Sequence, residues 1–146
     1  AGPIHVDLLV STSAEDCDWI VKLIDVNPGK LPSQLTTPPG YRSQQQTLVR
    51  GEPIRGRYRE GGDKPKPFEP NRPTRVRFTL NDVCHTFQRH HRIMVQVQSS
   101  WFPYIDRNPQ SWVTNIFEAR PEDFVKATHR VYHDPKHPSS LTLPLL

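Results

Sequence analysis

Apolar and polar residues alternate along most of this chain, the period of an extended strand rather than of a helix. Ile4, Val6, Leu8 and Val10 open in that rhythm and predict a strand over residues 4–11. A second is predicted over 18–26. Trp19, Val21 and Leu23 face one way there and Ile20, Ile24 and Val26 the other, so both faces should be covered. Short strands are expected at 47–50 and 54–59, then one at 75–80 with Val76, Phe78 and Leu80 inward. The cleanest alternation is 92–99, which puts Ile93, Val95 and Val97 on the core face and Met94, Gln96 and Gln98 on the other. Strands at 128–133 and 141–145 close the set.

Helix signals are few. Residues 81–89 have room for one helical turn with Asn81 as its N-cap. Residues 121–127 predict a brief helix, because Pro121 suits a first turn and Glu122 and Asp123 follow it. The connections are long and rich in proline: 28–40, and 61–73 (GGDKPKPFEPNRP), which should run over the surface. There are 16 prolines in 146 residues, about twice the usual share, which favours short strands joined by rigid loops. All 7 glycines precede residue 63, so later turns must rely on Asn-Asp, Asp-Pro and Asn-Pro steps. Eight or so short strands without a βαβ rhythm define one all-β domain, a jelly-roll β-sandwich.

Charge changes this picture little. Residues 50–77 hold nine Lys or Arg and four acids, a net of +5, and the rest of the chain is −1 (ten against eleven). Such a stripe would suit nucleic acid. The alternation of Arg55, Arg57 and Arg59 with Ile54, Gly56 and Tyr58 instead suits the solvent face of a strand, so no nucleic-acid partner is expected. No apolar run approaches the roughly 20 residues of a membrane span, and no membrane partner is expected.

Candidate chemistry is sparse. No serine sits in a G-x-S-x-G frame, and no Walker or Rossmann glycine pattern occurs, so no catalytic residue is assigned. Cys84, His85, His90 and His91 are zinc-like letters without the spacing of a closed site; neither a metal nor any other cofactor is expected. Cys17 and Cys84 leave pairing open. The only methionine is Met94, and with a strand under way from the first residues the chain reads as an excised domain.

The densest unusual stretch is SSWFPYIDRNPQSWVTN, residues 99–115. Loops normally shed aromatic residues, yet Trp101, Phe102, Tyr104 and Trp112 surround Asp106, Arg107 and Asn108 here. Either the loop folds back on the core or it packs against another surface. These seven residues are the candidate domain interface, with Asp106 and Arg107 expected to brace the loop backbone through charge-assisted hydrogen bonds.

HRIMVQVQ followed by SSWFPYIDRNPQ resembles the signature of a serine hydrolase family. That family comprises α-amino acid ester hydrolases, glutaryl-cephalosporanate acylases, cocaine esterase and X-Pro dipeptidyl-peptidases. STSAEDCDWIVKLIDVNPG, IRGRYRE and VYHDPKHPSSLTLPLL agree with it in the same order. The chain departs at His90, where the family usually has glycine. Trp101 and Gln110 resemble the ester hydrolase and glutaryl acylase branch.

The resemblance implies a non-catalytic C-terminal jelly-roll of galactose-binding-like type, spanning residues 1–146. Its partners would be the α/β-hydrolase and cap domains, which carry the catalytic triad and are not in this chain. The family's sandwich begins before Ala1, so an initial strand is expected to lie outside the chain. A periplasmic or secreted setting follows, with a cytoplasmic one as the alternative, and a homo-oligomer stays open. The competing reading is a free-standing ligand- or carbohydrate-binding sandwich, because jelly-rolls also bind through aromatic-rich loops.

Overall fold

A computed structural model describes residues 1–28 and 44–145. The loop expected over 28–40 lies, from residue 29 onward, outside the described residues. Among the described residues seven strands form: β1 (Gly2–Thr12), β2 (Asp18–Val26), β3 (Gln46–Arg55), β4 (Thr74–Val83), β5 (Arg92–Gln98), β6 (His129–Tyr132) and β7 (Ser140–Thr142). All pairing is antiparallel. One sheet runs β4–β1–β6, and β7 joins the same edge of β1 as β6, opposite His5–Asp7. The other runs β3–β2–β5.

The two sheets face each other as a sandwich, as the alternation predicted. Ile4, Val6, Leu8 and Val10 from β1 meet Trp19, Val21 and Leu23 from β2, with Val76 and Leu80 from β4 beside them. Ile20, Ile24 and Val26, on the other face of β2, are buried as well. One side of the sandwich closes through polar contacts: Arg50 Nη2 donates to the Asp82 carbonyl at 2.6 Å, and Asn81 Nδ2 donates to Glu52 Oε1 at 3.0 Å.

Four local expectations change. The strands expected at 47–50 and 54–59 are one strand, β3, which continues through Pro53. Proline is tolerated there because β3 is an edge strand, where a missing N–H breaks no ladder. The extended run ends at Arg55 and Gly56–Tyr58 forms a 3-10 turn. Gly56 N donates to the Cys17 carbonyl at 2.8 Å, and a Cβ on it would sit 2.5 Å from the Phe68 ring, so the backbone passes where only glycine fits. No helix forms at 81–89, because β4 extends through Val83; at 121–127 only Pro121–Asp123 turns, as a 3-10 helix. The 61–73 segment does run over the surface, but Phe68 is buried in the core and pins it there.

The fourth change concerns β5. Its registration places Val97 opposite Val21 and Val95 opposite Leu23, on the core face as expected. Only Val97 is packed against the core, whereas Val95 is 44% and Ile93 55% exposed. Among the described residues β5 is the edge of its sheet, and an open groove separates Val95 and Val97 from Leu8, Val131 and Leu141 of the facing sheet. At the entrance to β5, His90 adopts φ +72°, the left-handed conformation that glycine takes without cost. That accounts for glycine being usual in the resembling signature.

Candidate docking surface

The segment between β5 and β6 is long and irregular, yet it is firmly anchored. Its anchor is the turn between β1 and β2, where the acidic side chains of Asp16 and Asp18 are fully or almost fully buried. Asp16 Oδ2 accepts from Arg57 Nε at 2.7 Å, with Arg57 Nη2 also 2.7 Å away, and Asp16 Oδ1 accepts from the Cys17 backbone N–H at 2.9 Å. Arg57 is itself buried. Its Nη1 donates to the Val113 carbonyl at 2.8 Å, and the Trp112 ring lies over its guanidinium at 4.3 Å. Arg57 therefore does not belong to the solvent face of a strand. It is the tie between the aromatic loop and the sandwich.

Asp18 makes a second tie. Asn108 Nδ2 donates to Asp18 Oδ1 at 2.9 Å, and Arg55 Nη1 lies 3.4 Å from Oδ2. Burial raises the Asp18 carboxyl to about 6, despite the Asn108 hydrogen bond and Arg55, which act the other way. Asn108 Oδ1 accepts from Gln110 N at 2.8 Å, which holds Gln110 at φ +69°. Asp16 N in turn donates to the Gln110 carbonyl at 3.1 Å. Buried charges at such a turn persist when each is paired and hydrogen-bonded, as these are.

The remaining rings project from this base. Trp101 is half-buried: its ring touches Gly51, lies 3.9 Å from Lys22 Nζ and stacks with Tyr104 at 4.9 Å. Phe102 is 57% and Tyr104 73% exposed, and Arg107 covers Phe102 at 4.7 Å. The loop thus does both things its sequence allowed: Trp101 folds back, while Phe102 and Tyr104 face out. Asp106 and Arg107 do not brace the backbone. Asp106 makes no hydrogen bond among the described residues and Arg107 only stacks, so Asn108 alone does the bracing. Further along the same segment, Phe117 and Phe124 are also exposed, at 76% and 45%. Sequence reasoning missed them because isolated aromatics between polar residues resemble ordinary loop anchors.

Most other cations of the 50–77 stripe also have partners within the chain. Arg75 and Arg77 both reach Asp7 at 2.9 Å, Lys66 reaches Glu60 at 3.0 Å, Arg72 pairs with Glu69, and Arg59 stacks on Phe68. The histidines have structural places too. His85 Nε2 and His91 Nδ1 lie 2.8 and 2.7 Å from the two oxygens of buried Asp25, clamping the β4–β5 connection over one end of the sandwich. Among the described residues no group of three His, Cys, Asp or Glu could hold a metal. Cys17 is buried and Cys84 exposed, both as free thiols; burial, with Asp16 and Asp18 beside it, raises the Cys17 thiol far above its usual range.

The described residues thus form a two-sheet β-sandwich that carries a braced, aromatic-rich loop. The chain belongs to the X-Pro dipeptidyl-peptidase C-terminal non-catalytic domain family, whose model matches residues 1–142. It is 33% identical over 145 residues to cocaine esterase from Rhodococcus sp. (strain MB1 Bresler), covering 99% of this chain and 23% of that protein. Among solved structures it is similar to an α-amino acid ester hydrolase, 49% identical with a TM-score of 0.88, over 99% of this chain and 23% of that one. It is also similar to an aminopeptidase from the marine sediment archaeon Thaumarchaeota archaeon, 43% identical with a TM-score of 0.84, over 95% and 22%. The chain therefore spans less than a quarter of the length of these relatives.

Proposed function

We propose that this sandwich is the accessory C-terminal domain of a longer serine hydrolase of the esterase, acylase or dipeptidyl-peptidase type. It docks on the α/β-hydrolase and cap domains, stabilises them and borders their cleft. The observation that carries this reading is the anchored aromatic surface. Phe102 and Tyr104 are held outward by a loop whose base is locked through Asn108–Asp18 and Arg57–Val113. A surface that is both apolar and pre-ordered loses little entropy on docking, and interfaces concentrate their energy in a few such aromatic anchors. The names of the longer relatives supply the enzyme class. The resemblance adds an exported setting, periplasmic or secreted, which fractionation of the native host would check.

Tyr104→Ala and Phe102→Ala in the full-length protein test the docking. Each should lower the melting temperature or kcat/KM of the whole enzyme, while the same changes leave the secondary structure and stability of residues 1–146 alone nearly unaltered. Equal effects in both contexts would show that the loop serves only its own domain. Saturable binding of a saccharide by the isolated chain, lost on Tyr104→Ala, would favour the free-standing carbohydrate-binding alternative.

A further inference from the structure

The two sheets differ on their outer faces. On β2 the residues turned away from the core include Ile20, Ile24 and Val26, which are apolar and buried. On β1 the outward positions hold His5 and Asp7, and their cross-strand neighbours are polar as well. Thr79 of β4 and Thr142 of β7 flank His5, while Arg77 of β4 and Ser140 of β7 flank Asp7. Paired residues on adjacent strands point the same way, and residues two apart share a face, so these six side chains form two rows of three on one surface. Together they line a groove of about 460 Å³. A polar outer face is the mark of a sheet that meets water on that side. The aromatic loop packs on the other sheet, where Trp101 meets Lys22 and Gly51, so this groove is separate from the docking surface.

Hydrogen bonding inside the groove is lopsided. Asp7 is the one carboxylate among its lining residues, and each of its oxygens already accepts from a guanidinium: Oδ1 from Arg75 Nη1 and Oδ2 from Arg77 Nε, both at 2.9 Å. Thr79 Oγ1 lies 3.1 Å from His5 Nδ1. The donors are not used up. Among the described residues, the two terminal nitrogens of Arg77, His5 Nε2 and the hydroxyls of Ser140 and Thr142 have no hydrogen-bond partner. Charge points the same way, because two guanidiniums share the single Asp7 carboxylate. Further along the same face Arg130, opposite Ser11, has only the Asn71 side-chain amide. We infer that this groove binds a phosphate group, as the free ion or as a phosphate ester. The bond from Nε to Asp7 fixes the Arg77 guanidinium and leaves its terminal pair for two phosphate oxygens, the fork geometry that suits such anions. His5 Nε2 and the Ser140 and Thr142 hydroxyls supply donors for the remaining oxygens. A planar carboxylate would satisfy the Arg77 fork alone and leave those donors idle.

Phosphorus NMR of inorganic phosphate with the full-length protein tests the inference, since the ligand's linewidth reports weak, rapidly exchanging binding to a large molecule. The resonance should broaden saturably at neutral pH. Arg77→Gln should weaken this binding at least about tenfold. Thr142→Val changes no charge and should weaken it about threefold. Arg72→Gln removes one positive charge from the same basic stretch outside the groove and should leave the binding as it was. Glycerol phosphate in a parallel titration separates the two sources: tighter binding than the free ion assigns the groove to an ester, and equal or weaker binding assigns it to the ion. Absence of broadening would overturn the proposal, as would binding that survives Arg77→Gln. Equal losses in Arg72→Gln and Arg77→Gln would overturn it too, leaving only general attraction to a basic surface. Displacement of phosphate by acetate at equal concentration would reject the tetrahedral anion.

Discussion

β2 and β5 are neighbours in one sheet and each points a row of alternate apolar residues toward the core, yet they end in different environments. In β2, Trp19, Val21 and Leu23 are at most 2% exposed, and on the other face Ile20, Ile24 and Val26 are buried while Lys22 is half-buried. In β5, burial fades along the strand from Val97 to Val95 to Ile93. The difference lies in what surrounds each strand. β2 has a strand on both sides and the facing sheet above it, whereas β5 has one neighbour among the described residues and an open groove. Alternation specifies which side of a strand faces inward. Coverage depends on partners that the strand's own sequence does not contain.

The largest effect should come at the fixed end of this comparison, where the ionic base of the aromatic loop meets the start of β2. Arg57→Ala leaves the Asp16 carboxylate buried without its cation, and removing one partner of a buried pair costs about 3–5 kcal/mol. Chemical denaturation of residues 1–146 should show that loss, along with disorder of the Trp112 ring by fluorescence anisotropy. A loss below about 1 kcal/mol would mean that the pair is solvated and that the loop is not locked through it.

The comparison is measured directly by truncating one residue in each strand. Leu23→Ala should cost about 3 kcal/mol, the usual range for a buried leucine. Val95→Ala, opposite it on β5, should cost less than about 1 kcal/mol in residues 1–146. Even Val95→Asp, which would be severe at a covered position, should be mild in this chain, because a carboxylate at the groove mouth keeps its water. Equal losses for Leu23→Ala and Val95→Ala would remove the distinction between the two strands.

A third measurement uses pH at the first residue of β2. The folded Asp18 carboxyl, at about 6, lies above its ordinary value near 4, so the folded state holds a proton that the unfolded state has released between those values. Stability contributed by this group is therefore fully present below about pH 4 and is lost as the pH rises through about 6. Asp18→Asn keeps an acceptor for Asn108 and removes the titration. It should flatten the stability profile between pH 4 and 7 and raise stability at pH 7 by on the order of 2 kcal/mol relative to the parent. An unchanged slope would show that Asp18 titrates alike in both states.

The smallest effect is at the entrance to β5. His90→Gly relieves a left-handed side-chain conformation but loosens the unfolded chain, so the net gain should be about 0.5–1 kcal/mol in thermal melts. A loss instead of a gain would mean that the His90 side chain has a role its exposed position does not reveal.

Most of the strands and their inward faces were legible in the local alternation of residues. Alternation located β1, β2, β4 and β5 within a few residues, and the matched stretches identified the family, because both are properties of residues close together along the chain. The sequence also singled out Trp101, Phe102, Tyr104 and Trp112 as out of place in a loop. What those rings pack on is set by the tertiary structure. Trp101 is drawn to Lys22 and Gly51 on β2 and β3, and Trp112 to Arg57, all more than 40 residues distant in sequence. The same holds for Arg57. Its spacing from Arg55 and Arg59 suggested a solvent face, and its burial follows from Asp16, 41 residues earlier. A charge finds its place in a fold through its counter-charge and through the water it loses. Both are set by which segments meet, which no local pattern of residues records.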